Sequence, residues 1–542
     1  MSFYTFDTGV YQSGPNAKNQ TNQLNFVDDL SVTKGAHQVK IGVDYRIIFL
    51  NLEPFHAFLD YLVTSVPDFL ATGQADVYGV AQNSSRYSIQ STSLYAQDTW
   101  RMGARLKLTY GLRWEFDPAP AARGGTTLAA WENVNDPTQL ALAPSGTPLW
   151  ATTYSNFAPR IGAAYTLTPS GNLVLRGGFG IFYDLNSGAI AALGTAFPNS
   201  EATYTTGASM PLSQPTTYLP VLSTQPPYGD TWGFSPDLKL PRSYQWNAAL
   251  EKAFGGKQVA TLTYVGQSGR DLLRQEGISQ PNNNFTGDFL LTRNNARSNY
   301  NALQLQYRRP LADRLQVLLN YTWSHSSDNS SNDTILAVSS AVLSAAKDYA
   351  SSDFDVRHSF SGAFRFDVPT LHGPRPVSLV ARDWSIDSVV VARTGFPFNG
   401  QVVTATIAGV YPRPDLVPGT PIWLSGSQYP GRKALNPSAF TIPQSGQQGT
   451  EGRNDIPGFG LTQADLSLAR KFPITEKINL QFRADAFNAL NHPNFTNPPA
   501  YIGLGPAFLQ STQMLNHGLG GLNPLFQEGG PRSLQLSLRL TF

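Results

Sequence analysis

Cysteine is absent from the 542 residues. That excludes disulfide staples, thiolate metal sites and cysteine nucleophiles. Charge is scarce: Asp, Glu, Lys and Arg make up 14% of the chain, well under the roughly 25% of soluble domains. What charge there is nearly cancels, leaving +2, too little to point to nucleic acid. No apolar run approaches the ~18 residues of a membrane-crossing helix, and mean hydropathy is −0.23. A polar mean does not exclude the membrane, because barrel strands alternate polar with apolar residues and average out. The opening Met1-Ser2-Phe3-Tyr4-Thr5-Phe6-Asp7 lacks the basic and apolar regions of a signal peptide. Either the chain is not exported, or Met1 is not its natural start.

Aromatics, by contrast, are plentiful at 12%, as suits a protein ringed by interfacial Tyr, Phe and Trp. The last eleven residues set the pattern. Leu534, Leu536, Leu538, Leu540 and Phe542 share one face of an extended strand, with Gln535, Ser537, Arg539 and Thr541 on the other. A terminal edge strand of a soluble sandwich would also read this way. Recurrence decides for a membrane-crossing strand that ends in an aromatic residue.

Residues 37–49 put Val39, Ile41, Val43, Tyr45, Ile47 and Phe49 on one face. Residues 106–116 oppose Leu106, Leu108, Tyr110, Leu112, Trp114 and Phe116 to Lys107, Thr109, Gly111, Arg113 and Glu115. A helix would scatter those charges around its circumference. Further pairs are predicted at 87–100 with 106–116, 156–166 with 173–184, 243–254 with 258–267, 299–309 with 315–324, 355–368 with 384–394, and 460–471 with 478–487. With 23–33 and the terminal strand this makes fifteen, and a remnant at 1–10 would make sixteen. Short connections carry hairpin residues. Long ones, near 50–86, 117–155, 185–242, 395–459 and 488–531, are rich in Pro, Gly, Ser, Thr and Asn. Short turns inside and long loops outside the cell are the asymmetry of a bacterial barrel. The expectation is an all-β, antiparallel transmembrane barrel in a Gram-negative outer membrane. Residues 1–22 would hold a remnant strand and an external loop, and residues 23–542 the barrel.

The inward-facing set would include Lys40, Asp44, Arg46, Arg113, Glu115, Glu251, Arg308, Arg365, Asp367, Arg483 and Asp485. Both signs are present, so neighbour or cross-lumen pairing is expected. Seven histidines, at 37, 56, 325, 358, 372, 492 and 517, show no metal-ligand spacing. Ser324 to Asp333 is a polar external loop, since it lacks the calcium-loop template and any oxyanion hole. Gly177-Gly178-Phe179-Gly180 is followed by no helix and so cradles no phosphate. No catalytic residue, metal or cofactor is expected.

Several stretches resemble one family. Ala158-Pro159-Arg160-Ile161-Gly162, Arg176-Gly177-Gly178-Phe179-Gly180-Ile181-Phe182-Tyr183-Asp184, Asp355-Val356-Arg357-His358, Gly449-Thr450-Glu451-Gly452-Arg453-Asn454 ahead of Asp465-Leu466-Ser467-Leu468, and Phe487-Asn488-Ala489-Leu490-Asn491-His492-Pro493-Asn494-Phe495 look like the barrel of Oar-like TonB-dependent receptors. The resemblance implies a 22-stranded outer-membrane barrel around an amino-terminal plug, energised by a TonB complex and passing an unknown substrate. It also implies that the terminal strand, with Phe542, is the signal read by the barrel-assembly machinery. No plug, TonB-contacting segment or carboxypeptidase-regulatory-like domain is evident in the sequence, so the chain reads as the carboxy-terminal barrel portion. Surrounding lipid is the first expected partner. The rival reading is an adhesion barrel whose loops bind without transport, and a third is a barrel-based enzyme.

Overall fold

The computed structural model describes all residues except 1, 6–8, 13–16, 64–65, 185–189, 191–192, 194–195, 256, 332–347, 370–380, 405–410, 476 and 516–528, with the backbone alone given for 2–5 and 9–12. Fifteen long strands form one wall. They are β1 (Gln20–Lys34), β2 (His37–Leu52), β3 (Ser85–Met102), β4 (Leu106–Phe116) and β5 (Asn156–Thr166). Next come β6 (Leu173–Tyr183), β7 (Arg242–Phe254), β8 (Gln258–Ser279), β9 (Asp288–Ala312) and β10 (Leu315–Asp328). The wall ends with β11 (His358–Asp367), β12 (Trp384–Arg393), β13 (Leu461–Pro473), β14 (Asn479–Phe487) and β15 (Ser533–Thr541). Each pairs antiparallel with the next. Among the described residues no ladder register joins β1 to β15.

Register keeps the greasy rows continuous from strand to strand. Ile161 stands opposite Tyr110 on one side and Phe179 on the other, and Phe179 opposite Trp246. A slip of one residue would turn every such side chain to the other face. The rows are uncovered: Leu305 is 48% exposed and Leu466 45% exposed. In water such a surface would cost about 25 cal/mol for each Å² left bare, whereas lipid covers it. No described helix is long and apolar enough to cross a membrane, so crossing falls to the strands.

Ser2–Thr5 and Gly9–Gln12 depart from the expected sixteenth strand. Ser2–Thr5 pairs antiparallel with Gly9–Gln12 and parallel with Ala57–Val63, in a separate five-stranded sheet with Gln74–Gln82 and Ser200–Ser209. Two four-residue strands are too short for the ~9–11 residues a crossing needs. The stretch expected to be irregular at 50–86 also holds structure, the helix Val66–Thr72 included. Leu59, Tyr61 and Val63 are buried on one face of their strand, which is the alternation of a half-buried sheet. Strands β8 and β9 run to 22 and 25 residues. They outreach the membrane by some twelve residues, or ~40 Å of extended chain, and form an arm on the long-loop side.

The core lies in this cap of loops. Tyr87, Trp150, Phe234 and Leu238 share one buried cluster, and Trp131, Phe197, Tyr228, Phe285 and Phe289 another. The loop between β12 and β13 supplies Val402, Leu435, Phe440 and Ile456 to a third.

Candidate functional site

Two charged clusters line the face opposite the apolar rows. In the first, Arg113 on β4 meets Glu115 at 2.6 Å and Asp44 of β2 at 3.5 Å. It also donates to the Ser93 hydroxyl of β3 at 2.6 Å. In the second, Arg483 on β14 meets Asp485 at 2.8 Å and Asp387 of β12 at 3.1 Å, and donates to the Ser467 hydroxyl of β13 at 2.9 Å. Arg365 on β11 joins it through Asp367 at 3.2 Å and Asp387 at 3.8 Å. The repeated unit is an arginine with an acid two residues along the same strand, which alternation places on one face.

The remaining candidates lie outside these clusters or at their rims. Lys40 pairs with Asp29 of β1 at 2.7 Å. Arg46 stands level with Asn25 and Ser91, near Asp117 just past the end of β4. Burial pushes the Asp117 carboxyl up to about 6; Glu115 adds to the rise, while Arg113 and Arg46 oppose it. Glu251 lies between Val174 and Thr261, and Arg308 between Val259 and Leu318; neither enters a cluster. In the terminal row, Leu534, Leu536, Leu538 and Leu540 are 53–77% exposed and Phe542 is 96% exposed.

The cap holds a site that the residue patterns did not single out. Asp348 takes Arg274 from the β8–β9 arm at 2.8 Å and Arg413 from the β12–β13 loop at 3.1 Å. Arg453 of that loop reaches Asp328 and Asp353, each at 2.8 Å. Asp328, Asp348, Arg274, Arg413 and Arg453 are all buried. Burial holds the Arg274 guanidinium below its ordinary range. Beside the clasp, the buried Glu451 accepts the Gly400 N–H at 2.9 Å. Burial pushes its carboxyl up to about 7, opposed by the Gly400 hydrogen bond and Arg413.

Two stretches singled out in the sequence carry members of the clasp: Gly449 to Asn454 holds Glu451 and Arg453, and Ser324 to Asp333, expected to be a polar external loop, holds Asp328, which ends β10 and is buried. Asn488 and Asn494, from another of the family-like stretches, are likewise structural. Asn488 donates to the His492 and Gly530 carbonyls, and Asn494 to that of Thr462, tying the β14–β15 loop to β13. His325 and Arg357 both meet Asp355, at 3.2 Å and 3.5 Å, a cluster at the start of β11. The described residues contain no group of three acids or histidines able to hold a metal. His372 and His517 lie outside the described residues, as do Asn332 and Asp333 of the polar loop.

The family model of the outer membrane beta barrel domain matches residues 1–535. Among solved structures, the outer membrane transporter YddB from Escherichia coli aligns with a TM-score of 0.54 at 12% identity, over 98% of this chain and 55% of that one. The ferric-catecholate import receptor Fiu from E. coli K12 gives 0.44 at 13% identity, over 97% and 54%. The FrpB iron transporter from Neisseria meningitidis gives 0.46 at 11%, over 97% and 56%. The chain thus spans little more than half the length of these proteins, and the likeness is one of fold. No curated protein matches the sequence. A wall of antiparallel strands with lipid-ready rows outside and charge inside, matched along nearly its whole length by one family, places the chain in the outer membrane as a member of the outer membrane β-barrel domain family.

Proposed function

We propose that this chain is the barrel portion of a TonB-dependent type of receptor that passes a substrate across the outer membrane. Drive would come from an inner-membrane TonB complex acting through a plug. The observation that carries this reading is the inner-face chemistry. Arginines and acids pair with wall neighbours there, leaving a hydrated, charge-lined interior against which a plug or a polar substrate can move. Lys40, Asp44, Arg46, Arg113, Glu115, Glu251, Arg308, Arg365, Asp367, Arg483 and Asp485 are the residues assigned to that lining. Deleting the gene in its own host, and restoring it, tests the reading through accumulation of labelled chelates, oligosaccharides and peptides. Uptake that depends on both the gene and the proton-motive force is expected. Unchanged uptake with lost cell attachment would instead support an adhesion barrel.

We assign the row Leu534, Leu536, Leu538, Leu540 and Phe542 to recognition by the barrel-insertion machinery, because an alternating free edge can template pairing with another strand. Phe542→Asp is expected to lower the amount of protein in the outer membrane sharply, as read by fractionation. Undiminished levels would remove the assignment.

A further inference from the structure

Three arginines stand side by side where the wall meets the cap. Arg242 of β7 lies opposite Arg270 of β8. Gly269 of β8 lies opposite Ser298 of β9, and the register slips between Gly269 and Leu272, so Arg270 meets Arg297 at the bulge. Alternation puts all three on the lipid side of the wall. Arg242 shares its face with Leu250 and Phe254, Arg270 with Leu262 and Tyr264, and Arg297 with Leu303 and Leu305, all of them exposed.

Like charges set directly across a sheet destabilise it, so the row calls for an anion. Asp271 answers Arg242 at 3.0 Å. Among the described residues no carboxylate forms an ion pair with Arg270 or Arg297, so three guanidiniums share one acid. Arg270 donates to the Gly269 and Ser298 carbonyls, at 2.8 Å and 3.3 Å. Arg297 is exposed and lies 4.6 Å from the centre of the Tyr349 ring.

Height and shape say what the anion is attached to. From Gln258, where β8 begins beside a short turn, to Arg270 the strand covers ~40 Å of extended chain. At a tilt of ~45° that is a rise of roughly 29 Å, just past the ~25 Å apolar band and level with headgroups. Nearer the membrane centre, Ala163, Gly177 and Ala248 lie in register on β5, β6 and β7. Their small side chains leave an apolar groove of about 380 Å³, walled by Ile161, Leu175 and Phe179. From Arg242 to Ala248 is ~20 Å along the strand, or a depth of ~14 Å at the same tilt. That is half of the ~30 Å hydrocarbon core, the depth of one leaflet's chains.

We infer that Arg242, Arg270 and Arg297 bind the phosphate of an outer-leaflet lipid, one acyl chain of which lies in the groove below. A guanidinium offers paired N–H donors that match two phosphate oxygens, and a soluble anion would have no use for the groove. This rests on the long connections lying outside the cell and not on any transported substrate.

The test uses the full chain purified in dodecyl maltoside from the outer membrane of its own host and freed of bound lipid by exchange. It is titrated with diphosphoryl lipid A, with the same lipid dephosphorylated, and with inorganic phosphate, and native mass spectrometry counts what stays bound. One tightly held diphosphoryl lipid is expected. Removing its phosphates should weaken binding at least about tenfold, and inorganic phosphate should not displace it. Equal binding of the two lipids, or inorganic phosphate held as tightly as the lipid, would overturn the inference. Arg242→Gln with Arg270→Gln should lower affinity for the diphosphoryl lipid by at least about tenfold while keeping the heat-modifiable folded form. Unchanged affinity would also overturn it. If the double variant does not fold, the comparison of the two lipids decides alone. Ala248→Leu, which fills the groove, is expected to weaken lipid binding several-fold, and undiminished binding would overturn the path assigned to the chain.

Discussion

Over β4 to β9 the cap is held by rings, and over β10 to β13 by charges. Trp131 packs within 5.7 Å, between centroids, of Phe197, Tyr228, Phe285 and Phe289. Its indole N–H donates to the Trp232 carbonyl at 3.0 Å. The approach is so close that a Cβ at Gly233 would lie 2.4 Å from the Trp131 ring. On the other side, three arginines and three aspartates bind the β8–β9 arm and two loops. The arm belongs to both, with Phe285 and Phe289 in the ring cluster and Arg274 in the clasp. Ring packing is graded and tolerates repacking. Buried ion pairs are all-or-none, because removing one partner strands the other's charge in a poor solvent.

Breaking each half separately tests the division. Trp131→Ala should have the largest effect, about 3–5 kcal/mol, as for large aromatic truncations in packed cores. Hydrogen exchange should rise in residues 117–155 and 231–234 and stay unchanged in residues 348–357. Asp348→Ala should cost roughly 3–4 kcal/mol, since it removes the buried carboxylate that Arg274 and Arg413 both meet. Protease protection should then be lost around Arg413 and Arg453 but kept around Trp131. Loss on both sides in either variant would mean that the two halves form one cooperative unit.

Glu451→Gln sharpens the comparison through pH. Its folded carboxyl is raised from 4.5 to about 7, so folding favours the protonated form. The destabilising contribution is absent below about 4.5, grows as pH rises towards about 7 and is complete above it. The full span is on the order of 3 kcal/mol. Exchange protection near Gly400 should therefore fall between pH 5 and pH 8 in the parent, by a change that Glu451→Gln abolishes. A parent with no pH dependence there would remove Glu451 from the clasp's energetics. The smallest effect belongs to the wall. Arg483 is 39% exposed, so Arg483→Ala should change unfolding by about 0.5–1 kcal/mol and leave both halves of the cap protected.

The wall was legible because its two faces meet solvents of opposite character. Residues 106–116 announce the strand and both faces at once; most other predicted boundaries shift by a few residues, but β8 runs on to Ser279 instead of ending at 267 and β9 begins at Asp288 instead of 299. Long-range structure was illegible for an equally plain reason. Nothing near Asp348 in the sequence says that its partners are Arg274 and Arg413, 74 and 65 residues away. The stretch from Gly449 to Asn454 stood out as a family mark, but its task of holding loops together appears only when the loops meet. Ser2–Thr5 and Gly9–Gln12 misled because a short alternating run looks alike in a membrane wall and in a small cap sheet.

Local chemistry by itself determined the strand period, the apolar and polar rows, and the order of short and long connections. These follow from side-chain alternation and hydrophobicity, which act within a few residues. Tertiary structure alone decided that the cap has a ring-packed half and an ion-bound half, and which arginine answers which aspartate. Those choices depend on burial, and burial arises only where distant loops exclude water from one another.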